Sequence, residues 1–239
     1  MKPEIAQIII RLNHQFYQSF AGDFSDTRGR LQPGVQKQIS NLPDKCKILD
    51  LGCGNGELAR QLALTGFNGS YLGTDFSANL LEGAAQKIPE GFQADFLQLD
   101  LTDPDWGIIP FRDYDRVFCF AALHHIPDHT NRLAVCKKIR RLIKPEGQFY
   151  LSNWQFLKSE RLRKRILSWE HADLSDDDVD PGDYLLDWRR GGIGLRYVHH
   201  FDPDELGSLA MESGFRVVKS FNSDGKEGNL SLYQIWESV

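Results

Sequence analysis

Residues 47–60, KILDLGCGNGELAR, constrain the fold of this chain more than any other stretch. Ile48, Leu49 and Leu51 form a short apolar run of the kind a buried parallel strand shows. Gly52, Gly54 and Gly56 then alternate with Cys53 and Asn55, and Glu57-Leu58-Ala59-Arg60 opens a helical pattern. A strand, a glycine turn and a helix start in that order let the backbone approach a nucleotide-like ligand closely, because glycine has no Cβ to hold it off. Phosphate chemistry does not fit the turn. The dinucleotide fingerprint is G-x-G-x-x-G. Here the third glycine comes early, and Glu57 stands at the fingerprint's last glycine. A carboxylate there repels a pyrophosphate, so the turn suits a phosphate-free, zwitterionic ligand.

The rest of the chain keeps an α/β rhythm. Residues 4–20 carry Ile5, Ile8, Ile9, Leu12, Phe16, Tyr17 and Phe20 at helical spacing, and a second helix is expected after Pro33. GSYLGTDF reads as strand two and SANLLEGAAQK as a helix capped by Ser77. FLQLDL is strand three and DRVFCF strand four. HTNRLAVCKKIRRLI is a helix stopped by Pro145, and GQFYLSNW is strand five. After the helix DPDELGSLAMESGF, RVVKSFNSD and LSLYQIWESV are two strands whose short glycine-containing link makes them antiparallel. Residues 155–200 break the rhythm and are too long for an ordinary connection, so they are read as an insertion over the site. The strand ends coincide with polar or aromatic residues: Asp75 after strand two, Asp100 after strand three, Phe120 after strand four. Parallel sheets bind ligands at those carboxyl ends.

Charge and cysteines narrow the class. The net charge of −5 argues against a broad nucleic-acid surface, yet it is unevenly placed. Residues 132–144 hold Arg132, Lys137, Lys138, Arg140, Arg141 and Lys144 with no acid. Residues 158–165 hold five cations against Glu160, and residues 171–187 hold seven Asp with no Lys or Arg. These are either solvated faces with an acidic loop or a footprint for an anionic polymer. Cys46, Cys53, Cys119 and Cys136 lack metal-ligand spacing, and no metal site is expected. With no signal peptide and no membrane-length apolar run, a cytoplasmic protein with reduced thiols is the expectation.

The ordered set LDLGCGNGE, YLGTDFS, LQLDL and DRVFCFAALHHI resembles the S-adenosylmethionine-dependent methyltransferases, over about residues 45–239. The resemblance implies an α/β, Rossmann-like, doubly wound, seven-stranded, mostly parallel sheet with an antiparallel C-terminal strand and a lid insertion at about 155–200. An N-terminal helical cap would occupy residues 1–44. It implies an enzyme whose cofactor is S-adenosyl-L-methionine. Asp50 would set the turn and meet the cofactor's amino group, and Gly52 and Gly54 would pass beside the methionine moiety. Asp75 would bind the ribose hydroxyls, Asp100 and Leu101 the adenine, and Phe120 would lie near the methionine end. Leu101 and Phe120 read equally well as core.

Two further stretches resemble the eukaryotic tRNA wobble-uridine carboxymethyl methyltransferases. One holds His14, Tyr17, Phe24, Ser25, Thr27 and Arg28; the other holds Asp183, Tyr184, Trp188, Arg196, Tyr197 and His199. The resemblance implies esterification of a carboxymethyl group on the tRNA wobble uridine. It also implies a small activating protein subunit, which eukaryotic members use. Tyr17 and Arg28 fall on the cofactor side, and Asp183, Tyr184, Arg196, Tyr197 and His199 on the catalytic, acceptor side. A carboxylate acceptor is already ionised near neutral pH, so no strong base is required. Arg196 or Arg28 would hold one carboxylate oxygen and leave the other to attack. Tyr184, Trp188 and Tyr197 either stack on an unpaired base or cover the sheet. Arg196 either meets substrate or pairs with the Asp-rich loop. His124 and His125 suit strand-end packing, and His199 or His200 suits orienting a substrate oxygen. The Asp-rich insertion departs from what a tRNA enzyme needs, since it would repel the phosphate backbone. A small-molecule carboxylate or hydroxyl methyltransferase and a non-catalytic cofactor-binding subunit are the alternatives.

Overall fold

The computed structural model describes residues 1–26, 29–110 and 113–239; of residues 21 and 23–26 only the backbone is described. Two helices come first, α1 (Pro3–Asp26) and α2 (Pro33–Ile39). Then strands and helices alternate: β1 (Lys47–Leu51), α3 (Glu57–Leu64), β2 (Ser70–Asp75), α4 (Ala78–Gln86) and β3 (Ala94–Gln98). They continue with β4 (Tyr114–Phe120), α5 (His129–Leu142) and β5 (Ile143–Trp154). The insertion holds α6 (Glu160–Arg163), β6 (Ile166–Leu167), β7 (Asp183–Trp188) and β8 (Gly194–His199). The chain closes with α7 (Pro203–Glu212), β9 (Phe215–Ser223) and β10 (Ser231–Ser238).

Seven strands form one sheet in the order β3-β2-β1-β4-β5-β10-β9. All neighbours are parallel except β10, which runs antiparallel to both β5 and β9. This is the Rossmann-like arrangement expected, with its order reversing beside β1. Alternation along each strand splits the core in two. Ile48, Phe118, Tyr150 and Tyr233 face α2 and α3, packing on Val35, Leu58 and Leu62. Leu49, Leu51, Val117, Cys119, Phe149 and Trp236 face α5 and α7, packing on Val135, Ile139, Leu206 and Leu209. Each fully buried aliphatic or aromatic side chain of this kind contributes roughly 1.5–3 kcal/mol.

Three local expectations shift. Strand three ends at Gln98 rather than Leu101, because Leu99 N bonds Asp75 O and Asp100 turns the chain by accepting Thr102 N on its own side chain. Helix α5 stops at Leu142, and β5 begins before Pro145. Its pairing with β4 jumps from Tyr114↔Ile143 to Arg116↔Gln148, and Pro145 sits in that irregular stretch, where no ladder donor is needed. Helix α1 runs past residue 20 to Asp26, with non-helical backbone at Phe20 (φ −116°, ψ 17°).

The insertion is itself a sheet, β6-β7-β8, antiparallel throughout. One of its faces packs Leu185 and Tyr197 on Ile9 of α1 and on Trp169. The other packs Leu186 and Val198 on Phe156 and Leu162. Among the described residues no helix is long and apolar enough to cross a membrane.

Candidate functional site

A cavity of about 200 Å³ opens at the carboxyl ends of β1, β2, β3 and β4, where the strand order reverses. Gly52 and Gly54 line its wall and Gly56 ends the turn, with φ of +73°, +56° and +71°, a conformation unfavourable to residues that carry a Cβ. A Cβ on Gly52 would also stand 2.7 Å from that of Ala122. The turn is tied to the next strand: Gly52 N and Cys53 N both donate to Thr74 O, at 2.8 and 2.9 Å. Gly54 N donates to Asp75 Oδ2 at 3.0 Å and Ser77 N to Asp75 Oδ1 at 2.9 Å, so the Asp75 carboxylate is fixed by backbone on both oxygens.

Every described residue of the expected cofactor set lines this cavity: Tyr17, Asp50, Gly52, Gly54, Asp75, Asp100, Leu101 and Phe120. Arg28 lies outside the described residues, as do Thr27 and the side chains of Phe24 and Ser25. Asp50 is buried and accepts the Tyr71 hydroxyl at 2.6 Å. Burial pushes its carboxyl up to about 7 against the opposing pull of that hydrogen bond, and nearby Asp75 adds to the rise. A cation beside Asp50 would restore its ionised form. Burial likewise raises Asp75, only partly offset by its backbone donors. Glu57, at the start of α3, also lines the cavity, held by Arg60 through both oxygens at 2.7 and 3.0 Å. Burial would raise its carboxyl, but Arg60 and Gln61 outweigh it and hold it ionised below the usual range. This fixed negative charge at a helix N-terminus excludes pyrophosphate.

The N-terminal helices supply much of the other wall. Asn13, His14 and Tyr17 of α1 and Val35 of α2 face the cavity, together with Phe76 and His125. Helical periodicity showed that α1 has an apolar face but not what that face covers; only the His14 and Tyr17 positions of the resemblance pointed here. Asn13 Nδ2 donates to His125 O and Tyr197 O, and Asn13 Oδ1 accepts Tyr197 N at 2.9 Å. His125 Nδ1 lies 3.0 Å from Tyr197 O, a carbonyl that can only accept, so that nitrogen carries the proton. In the neutral ring Nε2 then accepts the Tyr17 hydroxyl at 2.7 Å, and Tyr17 in turn accepts from Arg196.

The acceptor-side residues do not come together as one constellation. In a strand, neighbours point to opposite faces, and Arg196-Tyr197-Val198-His199 lie in β8. Tyr197 and His199 turn away from the cavity into a buried network. The Tyr197 hydroxyl and His199 Nδ1 both bond Asp183 Oδ1, at 2.7 and 2.6 Å, and His199 Nε2 bonds Glu205 at 2.8 Å. Asp183, Tyr197 and His199, expected on the acceptor side, are buried, bonded to one another and outside the cavity lining. Tyr184 also falls outside the lining and packs edge-on against Phe156 at 5.3 Å. His200 packs edge-on against the same ring at 5.7 Å.

Arg196 also falls outside the cavity lining, but it lies on the other face of β8 and bonds Tyr17, which lines the cavity. It is 8% exposed, and its guanidinium lies over Trp154 (4.8 Å), Phe16 (5.4 Å) and Trp188 (5.8 Å). Among the described residues no carboxylate lies within ion-pair distance, so the expected alternative, a pair with the Asp-rich loop, is not formed. That loop's Asp187 is paired with Arg189 instead, and Asp183 with His199. Burial pulls the guanidinium below its ordinary range, and Tyr17 partly restores it.

The cavity thus offers a carboxylate fixed by backbone amides, a buried acid awaiting a cation and a wall hostile to phosphate. Comparison with known proteins agrees. A family model described as a methyltransferase domain matches residues 48–147. A tRNA (carboxymethyluridine(34)-5-O)-methyltransferase of Arabidopsis thaliana is 30% identical over 64% of this chain and 34% of its own length. A demethylmenaquinone methyltransferase of Bacillus subtilis is 35% identical over 46% of each chain. The match thus spans about a third to a half of these two relatives. The crystal structure of a SAM-dependent methyltransferase from Methanosarcina mazei superposes with a TM-score of 0.66, at 24% identity, over 88% of this chain and 99% of that one. Residues 48–147 thus match a methyltransferase domain, and the chain has the Rossmann-like fold of S-adenosylmethionine-dependent methyltransferases, whose cofactor is S-adenosylmethionine.

Proposed function

We propose that this enzyme methylates an acceptor carboxylate, and that the acceptor is a carboxymethyl group on an unpaired uridine of tRNA. The observation that carries the reading is Arg196, a buried guanidinium with an aromatic surround and no carboxylate partner among the described residues. Burying an unpaired cation costs on the order of several kcal/mol, and a carboxylate ligand offsets that cost through a planar, bidentate-capable contact. The bound cofactor supplies a methyl group on a positively charged sulfur, activated without help from the protein. Asp75 would hold the ribose, Asp100 and Leu101 the base, and Asp50 the cationic amino-acid end. Gly52 and Gly54 would let the backbone pass beside that end. Arg196 would hold one acceptor oxygen and leave the other to attack, with Trp154 and Trp188 excluding water. His125 Nε2 is engaged by Tyr17, which suits a reaction that removes no proton. Alignment is then the main contribution of the protein.

The charge distribution supports a polymer acceptor more than the net charge suggests. Arg161, Arg163, Lys164, Arg189 and Arg190 are exposed on the insertion that carries Arg196, although Arg163 bonds Leu157 O, Lys164 pairs with Glu160 and Arg189 with Asp187. The basic helix α5 is largely committed elsewhere. Arg132 is buried against Ile126 O and Tyr197, Lys138 bonds Asp103 O, Arg140 bonds Gly214 O and Lys144 pairs with Asp115. Of the seven Asp, Asp183 and Asp187 point inward. Exposed Asp173, Asp176 and Asp177 favour a second reading, a small carboxylic acid as acceptor. Methyl transfer from labelled cofactor to bulk tRNA and to a pool of small acids separates the two. Label on tRNA that mild alkali releases is the expected result. Label confined to the small acids would overturn the tRNA reading.

A further inference from the structure

We propose that His14 is a built-in competitor for the base of the cofactor, seated at the adenine end of the site and displaced when the cofactor binds. The His14 ring stacks on Phe76 at 4.8 Å and 20°, and its Nε2 lies 3.0 Å from Asp100 Oδ2. A flat ring stacked on an aromatic wall with one N–H on a carboxylate makes the two contacts that a purine with an exocyclic amine would make in this corner. The carboxylate is otherwise taken: Asp100 Oδ1 already accepts Thr102 N at 2.8 Å and Thr102 Oγ1 at 2.7 Å. Oδ2 is the oxygen left for a base, and His14 holds it. The stacking wall is fixed, since Phe76 sits between Asp75 and Ser77, both in backbone-bonded positions.

Volume points the same way. The cavity measures about 200 Å³, below the roughly 300 Å³ at which ordinary ligand pockets begin. His14 lines it and is 31% exposed, so its side chain has a route to solvent. Removing the ring enlarges the site at the base end and frees Asp100 Oδ2, leaving Asn13 and Tyr17 on the same helix in their bonds to His125. The competitor weakens cofactor binding by the free energy of its own two contacts.

The proposal rests on the placement of the base at Asp100 and of the ribose at Asp75. Titration calorimetry with S-adenosylhomocysteine on the full chain tests both. His14→Ala is expected to tighten binding about tenfold, the loss of one charge-assisted hydrogen bond and one stack. His14→Phe, which keeps a ring on Phe76 but gives up the bond to Asp100, is expected to gain less than His14→Ala. Unchanged or weaker binding by His14→Ala, with thermal stability retained, would overturn the competitor and make His14 an ordinary wall. Asp75→Asn in the same titration is expected to lose affinity at least tenfold. Retention of wild-type affinity by that variant would overturn the placement itself, whatever His14 does. Independently, the His14 ring proton resonances are expected to lose their ring-current shift from Phe76 when S-adenosylhomocysteine is added, and persistence of that shift in the saturated protein would contradict displacement.

Discussion

His199 Nδ1 lies 2.6 Å from Asp183 Oδ1, and the other ring nitrogen lies 2.8 Å from Glu205 Oε1. Ionised carboxylates only accept, so both nitrogens donate and the ring is an imidazolium. The contact ties β7 and β8 to α7, and Arg132 of α5 bonds Tyr197 beside it. Burial alone would lower the His199 pKa, but Asp183 and Glu205 outweigh burial and raise it. The folded state therefore binds this proton more tightly than the unfolded chain. The stability it contributes is complete below the ordinary histidine value of about 6.5 and is lost as pH rises through the folded value. Thermal unfolding from pH 6 to pH 9 should show stability falling over that window. His199→Gln should flatten the slope and cost about 3–5 kcal/mol at pH 6, because it strands a buried carboxylate.

Cofactor affinity should have the opposite slope. Asp50, at about 7 in the free protein, is protonated on the acid side, and its carboxylate is the form that attracts a cation. The Kd for S-adenosylmethionine should rise as pH falls through about 7. Tyr71→Phe removes the hydrogen bond that favours the carboxylate and should move the midpoint upward. Asp50→Asn should abolish the dependence. Calorimetry across pH 6–8.5 checks all three.

The glycines of the turn are unequal. Gly52→Ala combines a φ of +73° with a Cβ 2.7 Å from Ala122 and should cost about 2 kcal/mol, a fall in Tm of roughly 4–8 °C. Gly54→Ala, at +56° with nothing within 4 Å, should cost half that or less. Equal losses in calorimetric scans would contradict the geometry.

The basic insertion should carry the salt dependence of tRNA binding. Reversing Arg161, Arg163 and Arg190 to Glu should weaken binding more than tenfold at low salt and flatten log Kd against log salt. Reversing Lys137 and Arg141 on α5 should change binding less than twofold. Filter binding over a salt series measures both.

The sheet was legible in the sequence because short apolar runs, glycine turns and helical periodicity agree from Lys47 to Trp154 and again from Pro203. The cavity wall was legible for the same reason: Asp50, Asp75, Asp100 and Phe120 stand at or just after strand ends that are easy to read. The insertion was not. Read as a linear series, Arg196, Tyr197 and His199 looked like one site. Their assignment to a strand separates Arg196 from the other two, and nothing in a run of mixed charge and aromatics announced that strand. The closure of the cavity by α1 was equally hidden, because an apolar helical face does not say which element it covers.

Arg196 is the group proposed to hold the acceptor. Single-turnover methyl transfer to tRNA by Arg196→Met, with S-adenosylhomocysteine affinity measured on the same preparation, tests it most directly. A rate loss of at least about 100-fold is expected, with cofactor affinity within twofold of the parent and partial recovery in Arg196→Lys. Transfer within a few-fold of the parent, or a rate loss matched by an equal loss of cofactor affinity, would contradict a guanidinium that waits for the acceptor's carboxylate.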